Sequence, residues 1–476
     1  MAFGILSLLI SAALLFFAAL GIRSTVGKYR QSHGLVMVRD LMKYATLFIA
    51  VLITCIGLAG LLGLLLDSEN VRYGDRLDAA RWLAFIVVGT PVIYVIGSWI
   101  RRDFRKDPLQ SQFPAWQIYL LAANTVSLLI WFVPLATALQ WIVGEEFRPR
   151  ELAQSIVAFA VWLVHAILLR SHQSITSNIH RFIGWATGIT AGAIALIQVF
   201  DYAISESIGV KTGKYDLPNA WLLLAVSVPV ALYYWSVFEY TSGDQEARIY
   251  RTFAGMVLPS IGFAVAASLS LNAILVWNFG SHIEDASRFF TSVPQQMGSV
   301  IVLAPLVWYF RHLTLGYSRD NITRLYQYLM SGLALIGVGL AFGWAIAGLF
   351  EITDFPNTFI TGLSGLIVTL PLWLVQWRKC QHAADSDFEI EYKSPIRRVY
   401  LYASISAATI TSIGAAISLF YLIFKAMLVG GFDWLTIKAP GGTLISAGVI
   451  ALYQLRAYRD HQMLRKTAVT LPKMAH

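Results

Sequence analysis

Long apolar runs narrow most sharply what this chain can become. A helix that crosses the hydrocarbon core of a bilayer needs roughly 20 mostly apolar residues, and about thirteen such stretches can be marked along the 476 residues. Hydrophobic residues make up 57% of the chain and charged residues 13%, against about 25% charged in soluble domains, so little is left from which to build a soluble domain. The expected fold is an all-α integral membrane protein of about 13 transmembrane helices. It comprises one N-terminal helix at 1–30, six tandem helical-hairpin repeats at 40–107, 115–173, 178–244, 247–320, 321–393 and 395–460, and a loose basic cytoplasmic tail at 461–476.

The hairpin is clearest from Arg324 to His382. An apolar run follows Arg324-Leu-Tyr326 and ends near Phe350, and a second closes with Pro371-Leu-Trp373-Leu-Val-Gln376-Trp377-Arg378. The other units vary this plan. Aromatics recur where each first helix enters, at Tyr44, Tyr119, Phe182, Tyr250, Tyr326 and Tyr400, and three of the entries read Arg-x-Tyr. Pro91, Pro229, Pro305 and Pro371 sit at comparable places in second helices, and Trp235 and Trp377 each follow their proline by six residues. Shared positions at a near-constant period are the mark of tandem supersecondary units.

Charge sorts by side. The segments between hairpins, with the one after the first helix and the C-terminal tail, hold 26 Lys/Arg and 12 Asp/Glu, whereas the loops inside hairpins hold 10 and 15. The positive-inside rule then places the C-terminus and the between-hairpin loops in the cytoplasm. No positive charge precedes the apolar Ile5–Ile22, and Arg23, Lys28 and Arg30 follow it, so a retained first helix with its N-terminus outside is expected. The basic balance thus reflects topology and contact with anionic lipid, and nucleic acid is not an expected partner. The acidic run Asp385, Asp387, Glu389 and Glu391 reads as solvated. Cys55 and Cys380 give no basis for a disulfide framework.

Small residues on one stripe let membrane helices approach closely. Gly184, Gly188 and Gly192 fall four apart, as do Gly339 and Gly343, so the first helices are expected to be the inner, tightly packed set. Second helices carry bulky aromatics near their basic ends. Pro371, Trp373, Gln376 and Trp377, with Pro305, Trp308, Pro229 and Trp235, read either as an interfacial belt with kinks or as niches for a ligand or partner.

Chemistry is sparse. A haem held by two histidines needs both at membrane depth. His165 is the one histidine read as intramembrane, which makes it the candidate cofactor residue; His180 is placed at a helix end. Charged residues, which mark transport paths when they lie within membrane helices, are nearly absent from helix centres. The polar residues there are neutral and include Asn124, Gln198, Asn272 and Gln376. No P-loop, His-Glu-x-x-His, Cys-x-x-Cys or Gly-x-Ser-x-Gly motif occurs, so neither a metal centre nor an enzyme is expected.

The segment from Pro371-Leu-Trp373 through Gln376-Trp377-Arg378 to Ser394-Pro395-Ile-Arg397-Arg398-Val-Tyr400-Leu-Tyr402 resembles a bacterial membrane family defined by domain of unknown function 5671. Its second helix tends to read Pro-x-Trp-x-x-His-Trp and its next unit opens Arg-Arg-x-Tyr-x-Tyr. The resemblance is best over about 321–427. His165 falls at the family's histidine place in an earlier unit, and Gln376 replaces that histidine in the best-matched one. The resemblance implies repeated membrane hairpins in a bacterial cytoplasmic membrane and carries no activity. The function expected is a non-enzymatic scaffold or complex subunit whose helix faces bind a partner protein, lipid or hydrophobic cofactor. A carrier of a neutral or lipidic substrate and a quinone- or haem-associated redox subunit are the alternatives.

Overall fold

The computed structural model describes residues 34–67, 73–107, 114–170, 175–210, 217–241, 248–249, 251–282, 284–315, 321–350, 356–386, 391, 394–429 and 434–470. Within these residues the protein is all-helical. Its long helices are α1 (Gly34–Leu66), α2 (Tyr73–Lys106), α3 (Pro114–Ala138), α4 (Pro149–Arg170), α5 (Ile175–Ile208), α6 (Leu217–Thr241), α7 (Leu258–Phe279), α8 (Val293–Leu315), α9 (Asn321–Leu349), α10 (Asn357–Ser386), α11 (Pro395–Val429) and α12 (Trp434–Thr470). Eleven are long and apolar enough to cross a membrane. The helix expected at 1–30 lies outside the described residues.

The chain divides into two compact units, Met1–Ala195 with Asp216–Gly243, and Leu196–Tyr215 with Asp244–His476. In the first, α1 pairs with α2 and α3 with α4, and α1 also packs along α4 and α3. In the second, α9 pairs with α10 and α11 with α12, and α9 also packs along α12 and α11. Each unit therefore contains the same four-helix arrangement, with its first helix in contact with the other three. The second unit adds α7 and α8, which pack together, and α7 also lies against α10.

Close approach is concentrated at glycines. A side chain on Gly362 of α10 would run into the backbone of Ala345 on α9, and one on Gly348 into the backbone of Phe359. Gly184 and Gly188 of α5 face the Tyr234 ring and the Ala231 backbone of α6, and Gly192 faces the Ser227 hydroxyl. Gly339 and Gly343 of α9 rest on α12 rather than on their hairpin partner, against Ile450 and Gly442. Ser446 of α12 donates to the Gly339 carbonyl at 2.7 Å. The small stripe of α9 thus bonds the two hairpins of its unit to one another.

Two expectations about packing change. First helices are not uniformly inner: α11 leaves Ile410, Ile417 and Met427 more than 60% exposed. Bulky residues at those positions turn its face outward despite the small residues between them. The region after Arg459 is helical as far as Thr470, because Leu, Arg, Lys and Ala favour helix and Pro472 is the first breaker.

A π-helical segment, Arg251–Val257, leads into α7. Pro259 cannot donate to the carbonyl one turn earlier, and a wider turn at that point is the usual response to a lost helical bond.

The α9–α10 contact generates a prediction. Gly362→Ala should destabilise the protein by about 1–3 kcal/mol, the usual range for overpacking, because backbone cannot step aside. Gly414→Ala on α11, where an added methyl meets nothing within 4 Å, should be neutral or slightly stabilising. Thermal unfolding in detergent compares the two, and equal losses would remove the close-packing account.

Candidate functional site

Each unit buries one polar and aromatic cluster where its first, third and fourth four-bundle helices meet. Polar side chains in an apolar interior must find partners or forfeit their hydration, so their pairing shows what each cluster can do.

In the first unit Tyr44 of α1 lies against Trp116 and Tyr119 of α3, with centroids 5.3 and 6.1 Å away, and Trp116 stacks on Tyr119 at 5.2 Å. His165 of α4 is buried beside them. Its Nδ1 is 2.8 Å from the Val161 carbonyl. A carbonyl only accepts, so Nδ1 carries the proton, and Nε2 accepts from the Tyr119 hydroxyl at 2.9 Å. Both ring nitrogens are engaged in these contacts.

A second chain runs through the same unit. Trp162 Nε1 of α4 donates to the Tyr234 hydroxyl of α6 at 2.8 Å. That hydroxyl is 3.0 Å from His180 Nε2 of α5, whose Nδ1 is 3.4 Å from Thr125 Oγ1 of α3. Four helices are joined by three contacts, and the participants are all under 10% exposed. His180 stands in the second turn of α5, at the helix end where the sequence placed it, and is buried there against α6. An indole nitrogen donates but does not accept, so the chain hands no proton beyond Trp162. It ties helices together and is no relay.

The second unit repeats the plan with different residues. Tyr328 of α9 lies 5.5 Å from Tyr400 of α11. The Tyr400 hydroxyl is met by Ser331 of α9 at 3.2 Å and by Gln454 Nε2 of α12 at 3.4 Å. Tyr119 and Tyr400 each stand five residues after the proline that opens their helix. The fourth helix therefore bonds the third-helix tyrosine in both units, through His165 in one and Gln454 in the other.

Beside it sits an ionic knot. Arg324 Nε of α9 is 2.9 Å from Glu391 Oε1, and the Tyr328 hydroxyl donates to Glu391 Oε2 at 3.1 Å. Arg397 of α11 donates to the Tyr328 hydroxyl at 3.2 Å, to the Cys380 carbonyl at 3.4 Å and to Gln381 Oε1 at 3.0 Å. Glu391 is 2% exposed. The solvated reading of this residue is corrected, because Arg324 and the Tyr328 hydroxyl of α9 supply what water would have supplied.

The niche residues do not form one set. Trp373 and Trp377 are buried; Trp377 donates to the Tyr453 hydroxyl at 2.8 Å. Trp235 is half-buried and 5.7 Å from Trp185, Gln376 is half-buried, and Trp308 is 64% exposed. Pro229, Pro305 and Pro371 all face outward. Among the polar residues named for a transport path, Asn124 bonds its own helix at Leu120. Asn357 pairs with Ser281 at one end of α7 and α10. Counted from that clasp, Asn272 and Gln376 differ in level by about 15 Å at 1.5 Å per residue.

Sequence reading missed Glu391, Arg397, Tyr328 and Tyr234. The available signal was an arginine at each helix entry facing an acidic linker. Removing Glu391 alone leaves the buried Arg324 without its carboxylate and the Tyr328 hydroxyl without its acceptor, so Glu391→Ala should destabilise by about 3–5 kcal/mol. Arg324→Ala combined with it should recover part of that loss. A double-mutant cycle on reversible unfolding measures the coupling, and additive losses would mean that the knot contributes nothing.

Among the described residues no group of His, Cys, Asp or Glu is arranged to hold a metal ion. No curated protein and no solved structure matches the chain significantly. One family model, described as Domain of unknown function (DUF5671), matches twice, at residues 40–168 and 324–452. The first match takes in α1–α4, and the second runs from α9 through the first half of α12. Together the matches take in more than half of the residues, so the chain belongs to the DUF5671 family.

Proposed function

We propose that this protein is a non-enzymatic multi-pass scaffold or complex subunit that binds a partner protein, lipid or hydrophobic cofactor through its outer helix faces. The observation that carries this reading is on α11. Ile410, Ile413, Ile417, Phe420, Phe424 and Met427 are 55–75% exposed. They follow a 3-4 spacing, the seam by which one helix receives the side chains of another. Gly414 beside the seam has open space around it, as close helix approach in a membrane requires. The buried polar groups support the same reading, because they are turned upon one another.

The finer picture belongs to this proposal. The chain has thirteen membrane helices, one N-terminal followed by six hairpins, in a bacterial cytoplasmic membrane, with its N-terminus outside and its C-terminus in the cytoplasm. Its partners are the bilayer and other membrane subunits, and nucleic acid is not among them. Charge asymmetry supports the orientation.

Native mass spectrometry after extraction from the source membrane in mild detergent tests the scaffold reading. An additional mass should persist with the wild-type protein and fall several-fold when Ile413, Ile417 and Phe420 are replaced by alanine. A bare monomer, or an additional mass indifferent to these changes, would overturn it. For topology, a fluorescent protein fused at the C-terminus should fluoresce and alkaline phosphatase fused there should be inactive; the reverse would invert the orientation.

A further inference from the structure

The basic end of the second unit carries a cluster that the internal ties leave unused. α7 packs against both α8 and α10, and Asn357 at the start of α10 meets Ser281 just past the end of α7, so α8 and α10 both end on the side where α7 begins. α8 ends with exposed Trp308, Tyr309, Arg311 and His312, with Trp308 edge-on to His312 at 4.7 Å. α10 contributes exposed Arg378 and half-buried Lys379. The Arg311 guanidinium is close enough to act electrostatically on Lys379 and on Tyr326 of α9.

Two cations from different helices thus confront one another. Among the described residues no carboxylate forms an ion pair with either, and Glu391 is taken up by Arg324 and Tyr328. Like charges held together in a partly desolvated place repel, and an anion between them turns that repulsion into attraction. The flanking Trp308 and Tyr309 are residues that settle at headgroup level, and basic pockets between membrane helices are suited to anionic headgroups.

We infer that the ends of α8 and α10 form a phosphate site in which Arg311 and Lys379, with Arg378 at the rim, hold the phosphate of an anionic lipid headgroup. This site is polar and stands apart from the apolar faces of the scaffold reading, so neither depends on the other.

The test titrates the full-length protein, stripped of lipid in nonionic detergent, with phosphatidylglycerol, phosphatidylcholine or inorganic phosphate, and reads adducts by native mass spectrometry. Phosphatidylglycerol should be retained over phosphatidylcholine. A basic side chain near an anionic surface contributes about fivefold, so Arg311→Gln with Lys379→Gln should weaken retention roughly 25-fold. Arg311→Lys should keep most of it, which separates loss of charge from loss of fold. Binding of inorganic phosphate as tight as the lipid's would support the phosphate chemistry and assign a soluble occupant. Unchanged retention in the double variant, or an equal loss with the exposed pair Arg101→Gln and Arg102→Gln of the first unit, would overturn the site.

Discussion

A polar side chain buried among apolar helices must be answered by another, and the rest of this structure depends on how that demand is met. In the first unit tyrosine, histidine, tryptophan and threonine from α3, α4, α5 and α6 answer each other. In the second, Arg324 and the Tyr328 hydroxyl meet one carboxylate, and Arg397 donates to the same tyrosine. Lipid offers no hydrophobic force to press helices together, so backbone contact at glycines and these bonds must fix the arrangement. The helices that combine both devices, above all α9, are the centres of their units.

The two family matches give this a second meaning. Each takes in a first-helix tyrosine, Tyr44 or Tyr328, whose ring lies against the third-helix tyrosine of its unit. The bond that holds the latter differs between the units: His165, inside the first match, and Gln454, just past the end of the second.

Much of the fold was legible in the sequence because a membrane span must be written as an unbroken apolar run. The polar pairing was not. Tyr119 and His165 are 46 residues apart, and Tyr328 and Glu391 are 63. Nothing in either local segment names the other. Glu391 looks like its acidic neighbours until Arg324 and Arg397 are seen beside it. The small stripe of α9 announced close packing, but spacing alone did not say that it faces α12. Exposed α11 misled for the opposite reason, since its small residues lie between bulky ones that face out.

The central claim is that the buried tyrosine contacts are ties between helices. The most direct measurement replaces His165 by Gln and records, on the same sample, thermal unfolding, the visible absorption spectrum and the masses retained in native mass spectrometry. The account predicts a stability within about 1 kcal/mol of the wild type, the usual span for a single hydrogen bond, with spectrum and retained masses unchanged. Loss of an absorption band or of a retained mass from a protein that still unfolds normally would contradict it, and would make His165 a ligand.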